Sequence, residues 1–289
     1  MTKSNVLIQL DPDAHASAFD ALVAVDSTEL QLLQYHSVAD EQVEKLVHGA
    51  MFTRGPKDLR HTAVFIGGTD VLQGEALLEA TLRCFFGPLR VSVMLDANGA
   101  NTTAAAAVLA AARHVELSQC RALVLAATGS VGQRVGRLLA SQGAVVKLAS
   151  RTAERAVAAA QEVSDAVEGS SVTGVMVSET SQLSSLLGDC DVVVAAGASG
   201  VRLLPQEIWQ SSDSLKVLVD LNAVAPVGIE GIDMLDTARV IEGKVAYGAI
   251  GVGGLKMKIH KAAVARLFES NDQVLNVDEI FAIGEALTD

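Results

Sequence analysis

Aromatic side chains are scarce in this sequence: seven Phe, two Tyr and one Trp among 289 residues. A core with so few rings is filled by Ala, Val and Leu, which suits helices packed closely on a parallel sheet better than a β-sandwich. Cysteine is equally thin. Cys84, Cys120 and Cys190 are odd in number, far apart and without zinc-ligand or disulfide spacing. They read as buried free thiols in a reducing compartment, with no metal site. Basic charge is also in deficit, with 22 Lys and Arg against 34 Asp and Glu, a net charge of −12, and the basic residues scattered. A protein that reads a duplex shows a basic face, so nucleic acid is not an expected partner. An anionic cofactor remains open, because phosphate sites rest on local amides and one or two basic side chains. Long apolar runs are missing as well. No segment reaches the roughly 20 apolar residues of a membrane span, and the opening MTKSNVLIQLD lacks a signal-peptide pattern. The expectation is a cytoplasmic protein with no membrane partner.

Against those absences, half of the residues are apolar, enough for two domains of ordinary size. The first hundred residues alternate short apolar runs with helical stretches. Strands are expected at Val6–Leu10, Leu30–His36, Thr62–Ile66 and Val91–Leu95, and helices at Ser17–Val25, Asp40–Phe52 and Leu72–Phe86. NTTAAAAVLAAARHVEL at 101–117 predicts a connecting helix capped by Asn101 or Thr102. Beyond it, strands at Ala122–Ala126, Ala144–Ala149, Val172–Val177, Asp191–Ala196, Lys216–Leu221 and Val245–Ile250 alternate with helices at Ser130–Gln142, Ala153–Glu168 and Ser181–Leu187. Two closing helices are expected at Lys256–Phe268 and Asp278–Leu287. The fold class this predicts is α/β: a Rossmann-like doubly wound parallel-sheet domain over 103–256, plus a smaller α/β substrate domain over 1–102 joined by the C-terminal helices of 257–289.

The segment ALVLAATGSVG at 122–132 ends a strand and opens a helix. Its Ala127, Gly129 and Gly132 form an A-x-G-x-x-G variant of the dinucleotide fingerprint. Gly129 lets a pyrophosphate approach the backbone, and Gly132 lets the helix pack on the strand. Thr128 and the amides of Ser130 and Val131 face the phosphates, with the positive end of the helix dipole behind them. An enzyme that uses NAD places Asp or Glu at the end of the next strand, about 20 residues on, to hold the ribose hydroxyls. Here that strand ends in Leu148-Ala149-Ser150-Arg151-Thr152. Arg151 is suited to a 2′-phosphate, with Ser150 beside it, so the expected cofactor is NADP. Ala196 and Gly197 leave room for the nicotinamide ribose, and Asp220-Leu221-Asn222 ends a further strand, putting Asn222 at the ligand-binding edge.

Longer blocks carry a resemblance. FTRGPKD at 52–58, FIGGTD at 65–70, FFGPLRVSVMLDANGANTTAAA at 85–106, ATGSVG at 127–132, DLNAVAPVGIEGID at 220–233, AYGAIGVGGLKMKIHKA at 246–262 and RLFES at 266–270 span nearly the whole chain. In these blocks the sequence resembles the NADP-dependent methylene-tetrahydromethanopterin dehydrogenases, including members that also use methylene-tetrahydrofolate. Ala127 stands where that family often has Gly. The resemblance implies an oxidoreductase of one-carbon metabolism that is homo-oligomeric and takes a pterin substrate. The hydride leaves a methylene carbon held between two nitrogens, which delocalise the resulting charge, so no acid or base is obligatory. It also implies that Lys256, after the Gly253-Gly254 pair, lies beside the pterin and orients it. The bland reading of Lys256 is a surface lysine at a helix start, an unfavourable end for a cation.

Further substrate-binding candidates are Asp20, whose carboxylate suits the amino and ring NH groups of a pterin, Thr102 at the helix start, and His260, one turn past Lys256. Asp70 and Asp96 end strands of the first domain and are candidates for the same cleft. The alternatives are another two-domain NADP oxidoreductase, shikimate-dehydrogenase-like or folate-specific, and a non-catalytic NADP sensor. Lys57 and Asp58 are adjacent in a Pro-containing loop and point apart, which disfavours them as a catalytic pair.

Overall fold

The computed structural model describes residues 3–288. They form two compact units, one made of the chain up to Thr102 together with that from Met257 onward, the other of Thr103–Lys256. In the first unit β1 (Val6–Leu10), α1 (Ala18–Val25), β2 (Gln31–Tyr35), α2 (Asp40–Phe52), β3 (Thr62–Ile66), α3 (Val71–Arg83) and β4 (Ser92–Leu95) follow in turn. Helix α4 (Ala100–Ala112) carries the chain into the second unit. There come β5 (Arg121–Leu125), α5 (Ser130–Ser141), β6 (Val145–Ser150), α6 (Ala153–Ala166), β7 (Ser171–Met176), α7 (Ser181–Leu187) and β8 (Val192–Ala195). They are followed by α8 (Gln206–Gln210), β9 (Val217–Asp220), β10 (Arg239–Ile241) and β11 (Lys244–Tyr247). Helix α9 (Ala249–Arg266) leads back, and β12 (Val274–Leu275) and α10 (Val277–Ala286) complete the first unit.

The first sheet has the order β12-β4-β3-β1-β2 and is parallel throughout. The second has the order β10-β11-β9-β8-β5-β6-β7, parallel except for the β10–β11 pair. Strands β3 (TAVFI), β4 (SVML), β8 (VVVA) and β9 (VLVD) are buried at every position. They show no inside–outside alternation because crossover helices cover both faces of a parallel sheet. In the second sheet the order reverses between β5 and β8, and a doubly wound fold binds its ligand at the carboxyl ends of the strands at that point. The single tryptophan, Trp209, is fully buried in the second unit's core beside Leu218 and Ile232, and its indole N–H donates to the Glu230 carbonyl at 2.9 Å. Helix α4 is buried along most of its length, with Ala104–Ala107 and Val108 wholly inaccessible. An alanine-rich helix with no polar face is fitted to burial on all sides.

Three expectations are corrected. The helix expected to reach 117 ends at Ala112, because Arg113, His114 and Glu116 are exposed and have no apolar face to bury there. Neither Asn101 nor Thr102 caps it. The Asp96 carboxylate accepts from the Thr102 N–H at 3.0 Å, while Asn101 donates to the Leu95 carbonyl. The strand expected over Val245–Ile250 stops at Tyr247, and the helix expected from Lys256 already begins at Ala249, so Gly253-Gly254 lie inside it. Small residues allow this early start. A side chain on Gly248 would run into the Asp233 carbonyl, and one on Gly251 into the Asp236 carbonyl. That close approach lets Gly248 N–H donate to Asp236 and Ile250 N–H to Met234, at 2.9 and 2.8 Å, satisfying the opening turn.

Candidate active site

The fingerprint turn of the second unit is built by sterics. After β5 the backbone turns at Ala126, with φ 54°, and the Ala127 N–H donates to the Ala149 carbonyl at 2.9 Å, tying the turn to β6. Gly129 then caps α5 in an extended conformation with no side-chain cap. The two glycines do different work. A Cβ on Gly132 would lie 2.7 Å from Ala127 Cα, so helix and strand need that glycine to touch. A Cβ on Gly129 would meet nothing nearer than the Ala126 carbonyl oxygen at 3.9 Å. The space over Gly129 belongs to a cleft of about 650 Å³ that runs along the carboxyl edge of the sheet. No side chain fills that space, and the first-turn N–H groups of α5 have no partner within the helix. An open turn with such unpaired amides and the helix dipole behind it has the chemistry that suits an anion.

Thr128, Gly129, Ser150, Arg151, Ala196 and Gly197 all line this cleft. Ser150 is buried at the end of β6 and Arg151 is exposed beyond it. No carboxylate occupies the end of β6. Ser130 and Val131 contribute the first turn of α5, half-buried, with their side chains outside the cleft wall. Gly132 is spent on packing. Asn222 does not line the cleft either. Its amide donates to the Ala198 and Pro226 carbonyls at 3.3 and 3.4 Å, and its oxygen accepts from Val224 N–H, so it holds the loop behind the cleft wall. Asp220 beside it is almost fully buried and accepts from the N–H groups of Ile229 and Asn222, at 2.7 and 3.0 Å. Burial pushes its carboxyl above the ordinary range, against the opposing pull of those N–H groups.

Two arginines of the cleft were missed by sequence reasoning. Arg155 lies in the first turn of α6, four residues after Arg151, and lines the same end of the cleft. The spacing of four into a helix start was the available signal. Arg202 lines the cleft on the β8 side and is held by Glu230 at 2.7 Å, a pairing across 28 residues that no local pattern announces.

In the first unit the carboxyl edge of the sheet is acidic. Asp11 is fully buried after β1 and accepts from the N–H groups of Asp13 and Ser17, both at 2.9 Å. Asp20 sits on α1, largely buried, with its N–H received by Ser17 Oγ. A Cβ on Gly67, just after β3, would be 3.2 Å from Asp20 Oδ2, so the carboxylate lies against a position that has no side chain. Asp70 is the N-cap of α3, accepting from Leu72 and Gln73 N–H. Lys57 is exposed and Asp58 half-buried in a 3-10 turn, and neither joins this edge cluster.

Thr102 and His260 are fully buried. Thr102 Oγ1 donates to Asp96 Oδ2 at 2.6 Å, and His260 Nδ1 lies 3.3 Å from the same oxygen. Lys256 is half-buried on α9, one turn before His260, and Gly253 and Gly254 preceding it have open space where side chains would be.

Comparison with known proteins finds relatives along nearly the whole chain. Residues 18–98 match the family model of the N-terminal part of methylene-tetrahydromethanopterin dehydrogenase. The chain is 41% identical to the bifunctional protein MdtA of Methylorubrum extorquens over 284 residues, 98% of each chain. It is 28% identical to the NAD(P)-dependent methylenetetrahydromethanopterin dehydrogenase of the same organism over 276 residues, 93% of each. Among solved structures it is similar to quinate dehydrogenase from Corynebacterium glutamicum in complex with NAD. That likeness has a TM-score of 0.52 at 14% identity, covers 98% of this chain and 99% of that one, and bears on the fold alone.

Proposed function

The chain belongs to the methylene-tetrahydromethanopterin dehydrogenase family, and we propose that it moves a hydride from methylene-tetrahydromethanopterin to NADP, leaving the methenyl-pterin and NADPH. Methylene-tetrahydrofolate is the second substrate of this reading. The carrying observation is the cleft at the β5–β8 switch point, whose far end is lined by Ser150, Arg151 and Arg155 with no carboxylate at the end of β6. When bound there, NADP supplies the carbon that accepts the hydride.

The chain's own residues bind and orient. The first-turn amides of α5 and its dipole suit the pyrophosphate. Arg151 and Arg155 suit a 2′-phosphate, which a guanidinium grips through paired N–H groups. Ala196 and Gly197 leave space that larger residues would take. Asp20 suits the N–H groups of the pterin ring, and Lys256 orients the same substrate. Two electrons and one hydrogen leave the methylene carbon together, and its flanking nitrogens share the charge, so catalysis rests on placement of the two carbons at about 3–3.5 Å and on electrostatics. This account needs no proton relay.

The experiment is a spectrophotometric assay of NADPH formation from each methylene-pterin, with shikimate as a control. Turnover of a methylene-pterin and none of shikimate is expected. The reverse pattern, or NADP binding with no turnover of any pterin, overturns the reading. The same reading takes the protein to be a cytoplasmic homo-oligomer. Phe19 and Leu22 on α1, with Leu33 and Tyr35 on the edge strand β2, are exposed apolar residues of the kind that copies of a chain cover. Light scattering that returns the mass of a single chain contradicts that part.

No helix among the described residues is long and apolar enough to cross a membrane.

A further inference from the structure

The chain passes between its two units twice, at Thr102–Thr103 and at Lys256–Met257, and both passages lie inside helices, α4 and α9. One buried carboxylate serves the first-unit end of both. Asp96, wholly inaccessible at the end of β4, accepts from Thr102 N–H at 3.0 Å and from Thr102 Oγ1 at 2.6 Å, which fixes the first turn of α4. The same Oδ2 lies 3.3 Å from Nδ1 of His260, also inaccessible, which approaches from α9. The His260 ring is backed by Phe65 of β3 at a centroid distance of 5.5 Å. Polar groups placed so deep are costly without partners, so the Asp96 bonds to Thr102 hold the start of α4, and His260 of α9 lies against the same carboxylate. Next to it, Asn101 Nδ2 donates to Leu95 O at 2.6 Å and to Asn276 Oδ1, the cap of α10, at 3.0 Å.

We propose that His260 is a positioning residue that acts through Lys256: its contact with Asp96 locks α9 to the root of α4 and fixes the rotation of α9 about its own axis. Lys256 is four residues earlier on the same helix, so the rotation that satisfies His260 also sets the direction in which Lys256 projects. A helix turns about 100° per residue with a rise of 1.5 Å, so a small error in its rotation displaces the end of a long lysine side chain by more than a hydrogen bond tolerates. This role rests on the proposed reaction, in which Lys256 orients the pterin. It assigns His260 no contact with substrate, in keeping with its burial.

The test uses the full-length protein and the variants His260→Leu, His260→Asn, Lys256→Ala and the double variant Lys256→Ala/His260→Leu. Asparagine keeps a polar group near the place of Nδ1, able to reach the Asp96 carboxylate, and leucine removes it. His260→Leu is expected to lower kcat with methylene-tetrahydromethanopterin at least about tenfold while the Kd for NADPH stays within about twofold. His260→Asn is expected to recover most of that loss. In the Lys256→Ala background the leucine substitution is expected to cost nothing further, because the residue it acts through is already gone. Hydrogen exchange over 257–266 reads the lock without any turnover and is expected to quicken in His260→Leu.

Full activity in His260→Leu, or an additional loss of the same size in the double variant, overturns the proposal. If His260→Leu does not fold, His260→Asn decides: near-normal kcat and exchange support the lock, and a tenfold loss with unchanged exchange overturns it. A wild-type protein that turns over no pterin removes the reaction and the link to Lys256 with it, while the exchange measurement still decides the lock.

Discussion

At the carboxyl edge of the second unit's sheet the chain places Ala126, Gly129 and the run Ala196–Ala198, with arginines at the far end; at the same edge of the first unit it places Asp11, Asp20, Asp70 and Asp96. Both sheets are parallel and both are covered by helices, so the difference lies in the edges. The second unit's edge, built of small neutral residues, leaves backbone amides open, as suits an anion that must approach closely. The acidic edge cannot serve an anion. Three of its four carboxylates are committed to local backbone N–H groups: Asp11 to Asp13 and Ser17, Asp70 to Leu72 and Gln73, Asp96 to Thr102. Asp20 and Asp11 both lie against Gly67, which has no side chain, with Asp20 Oδ2 the nearer at 3.2 Å from its Cβ position. A carboxylate there suits a ligand rich in N–H groups, such as the pterin ring.

The largest effect should come from filling the neutral edge. Gly129→Val is expected to weaken NADPH binding at least about 100-fold, roughly 2.7 kcal/mol, while the melting temperature stays within a few degrees, since nothing of the protein lies within 3.9 Å of the added Cβ. Gly132→Val is the counter-example. Its Cβ would press on the Ala127 backbone at 2.7 Å, so it should cost stability, on the order of 3 kcal/mol. Fluorescence titration and thermal melts on both variants separate ligand space from packing space. Equal losses of stability would erase the distinction.

Much of this was legible in the chain. The βα rhythm predicted most strands of both sheets, because a strand covered on both faces is a short continuous apolar run that the eye can find. The cleft residues Gly129, Ser150, Arg151 and Gly197 were legible because each sits at a strand end, where a local motif reports its position. What escaped had no local signal. His260 and Thr102 look like surface polar residues in sequence, and only the fold turns both onto Asp96. The closing helix reads as starting at Lys256, yet the carbonyls of Met234 and Asp236 start it earlier by long-range bonds. Asn222 shares a motif with the cleft but spends its amide on the loop.

The next effect is on cofactor choice. Arg151→Ala should raise the Kd for NADP about tenfold or more and leave that for NAD almost unchanged, as calorimetry can show. A parallel loss for both would move Arg151 from the 2′-phosphate to a part common to the two cofactors. On the acidic edge a smaller, opposite selectivity is expected. Gly67→Ala puts a methyl 3.2 Å from Asp20 Oδ2 and from the Phe65 ring. It should raise KM for the pterin by about three- to tenfold, up to roughly 1.4 kcal/mol, with NADPH affinity unmoved. An unchanged KM would place the substrate away from Asp20.

The smallest effect lies away from both edges. Asp189 bonds Lys147 at 2.9 Å and also pairs with Arg121, and these contacts, the Lys147 hydrogen bond foremost, hold its carboxyl below the ordinary range. The group is exposed, so Asp189→Asn should cost only a few tenths of a kcal/mol. A lowered folded value means the contribution is complete above the carboxylate's unfolded range and fades as pH falls through the lowered value. Urea denaturation of wild type and variant should differ slightly at neutral pH and converge in acid, below the lowered value. A gap that widened in acid would reverse the sign of this account.

The measurement closest to the central claim is the pair of specificity constants of the wild-type protein for NADP and for NAD, with methylene-tetrahydromethanopterin saturating. An edge that carries Ser150, Arg151 and Arg155, with no carboxylate at the end of β6, predicts kcat/KM at least about tenfold higher with NADP, roughly 1.4 kcal/mol of transition-state stabilisation. Equal constants, or a preference for NAD, would contradict it.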